Sequence, residues 1–146
     1  TVSVGCTPGY NEHNKQAASD IAPRVERTIA GSPSMSNLPL ALDGNMSTAA
    51  TSGSNQSGAW VALDLGRVCL FNTVIVEHGL ADEGFAGRVA VHTSMDGANF
   101  TYRFTGPGNR GISYFSLVTP VLARYVRLEV SQPGSHVWSL AELNMR

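Results

Sequence analysis

Ala123-Arg124-Tyr125-Val126-Arg127-Leu128-Glu129-Val130 carries apolar residues at positions 126, 128 and 130, with Tyr125, Arg127 and Glu129 between them. Successive side chains of a β-strand point to opposite faces, so this alternation turns one face to a core and the other to water. The same reading extends outward. Ser139–Met145 is predicted as a strand downstream, and Trp60–Leu65, Leu70–Glu77, Arg88–Thr93, Phe100–Phe104 and Ile112–Val118 upstream. Gly66, the segment 79–87, Asp96-Gly97, Gly106-Pro107-Gly108 and Pro133-Gly134 separate these runs. Glycine reaches positive φ without steric cost and proline presets the first turn angle, so such residues punctuate strands. No helical pattern lies between the runs to make parallel crossovers. The expected fold class is all-β, a two-sheet β-sandwich.

The chain has 146 residues, close to the usual size of one domain, and is expected to form a single unit spanning 1–146. Residues 1–37 differ in character, being rich in Ser, Asn, Pro and Ala. A short strand at Val2–Cys6 and a helical turn around Lys15–Ile21 are expected there. Ile21, Val25, Ile29 and Leu38 offer anchors by which this stretch would pack over one end of the sandwich as a long loop, a linker remnant being the other reading. The start at Thr1 suggests a processed protein or an excised module.

Ten Lys and Arg against eleven Asp and Glu leave a formal charge of −1, with Lys15 the sole lysine. That balance excludes binding of nucleic acid or anionic lipid through bulk charge. No run of apolar residues is long enough to form a membrane-spanning helix. Cys6 and Cys69 are too few for a disulfide scaffold and lack C-x-x-C spacing; one bridge between them and two buried thiols both remain open. Asn45, Asn55 and Asn99 each begin an Asn-x-Ser/Thr sequence, an acceptor for glycosylation where the host provides it.

Asp43-Gly44-Asn45-Met46-Ser47-Thr48 gathers a carboxylate, an amide and hydroxyls around a sharp turn. Ca²⁺ takes six to eight oxygen ligands, backbone carbonyls included, and such a loop supplies part of a set. EF-hand spacing is absent, so a second carboxylate must come from elsewhere in the chain.

Ala41-Leu42-Asp43-Gly44-Asn45 with Thr48, followed by Trp60-Val61-Ala62-Leu63-Asp64-Leu65-Gly66, resembles the coagulation factor V/VIII type C, or discoidin, domain. The likeness continues through Phe71–Val76, Ser94–Phe100 and Ala123–Leu128 to Leu140-Ala141-Glu142-Leu143. The order and spacing of these blocks make the match more specific than any one of them. The resemblance implies a jelly-roll-like sandwich of the galactose-binding type, and in bacteria mostly carbohydrate-binding modules of family 32. It also implies a structural Ca²⁺ held by Asp43, the Asn45 carbonyl, Thr48 and the distant Glu142. Trp60, Asp64, Arg124 and Arg127 are then expected to serve structure, through turn amides, cross-strand pairs and aromatic stacking.

Sugar recognition needs an aromatic ring against the apolar face of a pyranose and polar groups placed for its hydroxyls. Two loops offer these types, and ligand residues of family 32 modules commonly come from corresponding loops. His78, Asp82, Glu83 and Phe85, with Arg88 behind them, lie in one; His136 and Trp138 lie in the other. Replacing His78 or Trp138 by alanine is expected to abolish binding without unfolding. One departure bears on the sugar. Galactose-binding members carry an aromatic and a histidine just after the Asp-Gly loop, where this chain has Thr48-Ala49-Ala50-Thr51-Ser52-Gly53. A different sugar, an internal polysaccharide segment or an altered loop site is therefore favoured over galactose.

No Gly-x-Ser-x-Gly elbow, His-Glu-x-x-His or Walker loop is present, and the adjacent acids Asp82-Glu83 are not the opposed pair of a glycosidase. The expected function is that of a non-catalytic module, secreted or at the cell surface and monomeric. It would target a catalytic domain in the same parent chain to a glycan or polysaccharide. The alternative is an adhesion domain for a protein or phospholipid surface. A membrane is disfavoured because Asp82 and Glu83 lie between the exposed-spike candidates Leu80 and Phe85.

Overall fold

The computed structural model describes residues 27–53 and 56–146, together with the backbone of Ser3–Val4. Its strands are β1 (Ser3–Val4), β2 (Thr28–Gly31), β3 (Ala50–Thr51), β4 (Trp60–Glu77), β5 (Arg88–Ser94), β6 (Thr101–Pro107), β7 (Ile112–Gln132), β8 (Ser139–Leu140) and β9 (Glu142–Met145). A short 3-10 helix spans Leu38–Leu42. The main sheet runs β1-β4-β7-β5-β6, with β2 and β9 also paired to β4, and β3 pairs with β8. Only β1 pairs in parallel among these strands. The all-β sandwich expected from the sequence is the fold observed. The expected helical turn at Lys15–Ile21, with Ile21 and Val25, lies outside the described residues. Ile29 and Leu38 do pack against the core.

Local pattern predicts breaks in β4 at Gly66 and in β7 after Val118, but both strands run on. Between Asp64 and Cys69, residues 65–68 of β4 stand against Arg124 alone on β7. Between Phe71 and Thr73, Asn72 alone stands against residues 117–120 of β7. Extra residues on one strand of a pair bend it and increase its twist, so these irregularities carry both strands around a corner without ending them. Burial follows the change of phase. On β4 the buried set passes from Val61, Leu63, Leu65, Cys69 and Phe71 to Val74 and Val76. On β7 it passes from Phe115, Leu117 and Ala123 to Val126, Leu128 and Val130.

Asp64 clamps the first corner. Its carboxylate accepts Arg124 Nε at 2.9 Å and Nη2 at 3.2 Å, and the Gly66 amide at 2.8 Å. Gly66 sits at φ +84°, a conformation that a side chain would strain. Burial opposes ionisation of Asp64, but the hydrogen bonds and charge of Arg124 with the Gly66 amide hold its carboxyl below the ordinary value. Arg127 Cζ lies 4.3 Å from the centre of the Trp60 ring.

Three smaller boundaries also differ. β6 continues through Pro107, which as the end strand of the sheet order loses no ladder partner. The expected strand Ser139–Met145 divides into β8 and β9, which pair with β3 and β4 respectively. Cys69 is disulfide-bonded, which removes the alternative of a buried thiol there. Cys6, the other cysteine of the chain, lies outside the described residues.

Candidate functional site

Strand register gathers three loops at one end. β4 ends at Glu77 against Ile112, the start of β7, and β5 begins at Arg88 against Gln132, the end of β7. The segments 78–87, 108–111 and 133–138 therefore converge. Backbone bonds tie them together: His78 N donates to Gly111 O at 2.9 Å, Gly111 N to Asp82 O at 2.8 Å and Ser139 N to Gly84 O at 2.8 Å.

The inner layer of this end is buried and hydrogen-bonded. His78 is 1% exposed, with Nδ1 2.7 Å from Ser139 O and Nε2 2.8 Å from Ser113 Oγ. A carbonyl only accepts, so Nδ1 carries the proton and Nε2 accepts from the serine hydroxyl. Burial holds the His78 pKa below 6.5, against the raising effect of the Ser139 bond. Trp138 is also 1% exposed and belongs to the core. Its amide donates to Ser52 Oγ at 2.9 Å, and its carbonyl accepts Ser52 N at 2.9 Å. Gln56, 2% exposed, donates to His136 O at 2.5 Å and accepts Gly134 N at 2.9 Å. These contacts correct the expectation for His78 and Trp138. Both brace the loops from within and present no surface to a ligand.

The outer layer is exposed and charged. Arg110 Nε lies 3.1 Å from Asp82 Oδ2, and Nη2 lies 3.8 Å from Glu83 Oε1. His136 Nε2 lies 3.8 Å from Glu83 Oε2. Asp82 accounts first, by hydrogen bond and charge, for the raised Arg110 pKa, with Glu83 adding to it. Of the residues singled out in the sequence, Asp82, Glu83 and His136 thus come together. Phe85 is half-buried at their side, 6.3 Å from the His78 ring. Arg88 turns to the neighbouring strand, its Nη2 donating to Thr105 O at 3.1 Å. No local sequence signal marks Arg110 or Gln56. Arg110 sits in a Gly-rich turn that reads as a connection, and Gln56 meets partners some eighty positions away.

The Asp43–Thr48 loop lies beside this end. Thr48 Oγ1 is 2.5 Å from Asp43 Oδ2 and 3.1 Å from Asn45 O, so three oxygens face one another. Glu142, 3% exposed, accepts the Gly44 amide through Oε2 at 2.9 Å. The hydrogen bond from Thr48, then the Asn45 amide, lower the Asp43 pKa. The loop and the neighbouring Glu142 thus offer oxygen donors, two carboxylates, a hydroxyl and a carbonyl, of the type that suits a hard cation such as Ca²⁺. Among the described residues no group of three or more His, Cys, Asp or Glu side chains gathers to hold a metal ion, so any cation here would depend on two carboxylates with hydroxyl and carbonyl oxygens. The loop also touches the candidate site. Gly79, at φ +63°, sits where a Cβ would collide with Met46 O and with Ala141 Cβ.

Solved structures share this architecture. The chain is similar to the family 32 carbohydrate-binding module of Clostridium perfringens NanJ, solved in complex with galactose. TM-score is 0.72 and identity 20%, over 85% of this chain and 96% of that one. It is similar to a module of a second C. perfringens protein, CpGH89CBM32-5, solved with GalNAc-β-1,3-galactose. Here TM-score is 0.75 and identity 20%, over 85% and 97%. Chitosan-binding module 1 of a Paenibacillus sp. IK-5 chitosanase/glucanase gives TM-score 0.69 and 22% identity, over 83% and 95%. At these identities the likeness shows the fold. No curated protein sequence matches the chain. The sequence model of the F5/8 type C domain matches residues 28–143, most of the chain, from β2 into β9. The chain belongs to the F5/8 type C domain family.

Proposed function

We propose that this domain is a non-catalytic carbohydrate-binding module that takes a glycan at the end formed by 78–87, 108–111 and 133–138. The observation that carries the reading is the exposed quartet Asp82, Glu83, Arg110 and His136 standing on a buried, hydrogen-bonded floor. Planar carboxylates and a guanidinium match pairs of sugar hydroxyls, and a braced backbone lowers the entropy lost on binding. Leu80, 82% exposed, and Phe85 supply apolar surface beside them. Neighbours of the same fold that were solved with galactose and with GalNAc-β-1,3-galactose support a sugar as the ligand class. The Thr48–Gly53 stretch, without aromatic or histidine, argues for a sugar other than terminal galactose.

Asp43, the Asn45 carbonyl, Thr48 and Glu142 would hold a structural Ca²⁺, which would fix the loop that abuts Gly79. Added Ca²⁺ is then expected to raise Tm, and EDTA to lower it, without direct contact to sugar; a melt indifferent to both would remove the metal. The module acts for a secreted or surface protein, raising the local concentration of an attached enzyme at its polymer. Affinity for one sugar unit is expected at about mM to high μM, because a shallow site buries few atoms.

A glycan array with affinity electrophoresis on polysaccharides tests the reading. Binding that is lost in both Asp82→Ala and Arg110→Ala supports it. Failure of every glycan alongside binding to vesicles or to a partner protein would overturn it.

A further inference from the structure

We propose that the outward face of β4 and β7 holds a second saccharide site, in which an uncharged oligosaccharide lies in the groove between β2 and the turn joining β5 to β6. Cross-strand pairs assemble this face: Trp60 opposite Glu129, Ala62 opposite Arg127 and Asp64 opposite Tyr125. Their neighbours Val61, Leu63, Val126 and Leu128 point the other way, into the core. Thr28 and Ala30 of β2 flank one side, and Phe100 of the turn flanks the other. The groove between them encloses about 400 Å³, within the range of about 300–1,000 Å³ usual for small-ligand sites.

Its chemistry selects a neutral, hydroxyl-rich occupant. The charges on the face cancel in pairs. Asp64 is held by Arg124 through two bonds, and Arg127 Nη2 lies 3.1 Å from Glu129 Oε1. Among the described residues that line the groove, the charged ones, Asp64 and Arg127, each have an opposite partner. The planar groups keep fixed orientations, because the Arg127 guanidinium lies over the Trp60 ring. Trp60 and Phe100 remain half-buried, leaving aromatic surface beside those donors and acceptors. Rings next to oriented planar polar groups, without net charge, are what a pyranose chain requires.

The groove is separate from the loop end. β5 runs from Arg88, beside the loops, to Ser94, opposite Tyr125. At about 3.3 Å per residue that strand spans roughly 20 Å. The inference therefore does not rest on the loop-end reading, and either can fail alone.

The chain has two tryptophans, Trp60 in the groove and the buried Trp138, so two indole N–H signals report separately. The test titrates ¹⁵N-labelled protein with cellohexaose, laminarihexaose, mannohexaose and chitohexaose at millimolar concentration. At least one is expected to move the Trp60 indole while Trp138 keeps its position as a marker of intact folding. Ala62→Arg, which fills the groove, and Phe100→Ala are each expected to weaken that binding roughly tenfold or more. Arg110→Ala should leave it unchanged. The proposal is overturned if none of the four sugars moves the Trp60 signal. It is equally overturned if both groove variants bind as the parent does, or if Arg110→Ala removes the Trp60 response.

Discussion

His78 and His136 stand in adjoining loops at the same end of the sandwich, and their surroundings are opposite. His78 is sealed between Ser139 O and Ser113 Oγ, whereas the His136 side chain is 54% exposed beside Glu83. The contrast extends to whole layers. Below, Ser52, Gln56, His78 and Trp138 satisfy the backbone of converging loops; above, Asp82, Glu83 and Arg110 face water. Loops that turn inward carry amides and carbonyls that water cannot reach, and an unpaired buried group costs more than an ordinary hydrogen bond contributes. Polar side chains in the lower layer are therefore committed to the fold. Only the upper layer is free to meet a ligand.

The sharpest way to break this division is Trp138→Ala. Loss of a fully buried tryptophan is expected to cost about 3–5 kcal/mol, read as a drop in the midpoint of urea unfolding. A stable variant that had lost only sugar binding would place Trp138 in the upper layer after all. Gln56→Ala comes next. It strips partners from Gly134 N and His136 O, and the expected loss is about 1–3 kcal/mol for each group left buried and unpaired. Protease sensitivity should rise at 133–138, and an unchanged melt would show that water replaces the side chain.

A smaller effect comes from pH. Burial holds the folded His78 pKa below 6.5, so the unfolded chain binds a proton first as pH falls through that value. Stability contributed by neutral His78 is complete above pH 6.5, declines as pH falls toward the folded pKa, and declines no further below it. Burial likewise lowers the pKa of His92, which adds a second slope of the same sign. Thermal melts of the parent and His78→Gln across this window should show a shallower slope in the variant. Equal slopes would remove His78 from the account. The smallest expected change in stability is that of Arg110→Ala, because solvent screens this ion pair. Its Tm should match the parent while glycan binding at the loop end is lost, and a destabilised variant would move Arg110 into the lower layer.

Alternation at Tyr125–Val130 was legible because a strand with one face on a core repeats every second residue. The continuity of β4 was not. Gly66 reads locally as a turn, and only the long arm of β7 on the far side shows that it relieves a bulge. Pro107 misled in the same way, since a proline ends a central strand but not an edge. Within the candidate site, Asp82, Glu83 and His136 could be singled out by residue type and loop position. Arg110 could not, because its partners lie some thirty residues away across a connection that the sequence leaves unplaced. Burial was invisible for His78 and Trp138, since loop position alone does not say which way a side chain turns.

The sequence by itself determined the all-β class, the near-neutral charge balance and the Asp-Gly loop, and its resemblance to the F5/8 type C domain pointed from that loop to the distant Glu142. These follow from periodicity, charge count and ordered motifs, all properties of the chain read along its length. Tertiary structure alone decided which polar residues face water and which brace the loops, and that aromatic and paired charged side chains line a groove on the open face of β4 and β7. The physical reason is the same for each. Hydrogen-bond satisfaction and exposure belong to residues brought together by register and bends, and no local pattern records them.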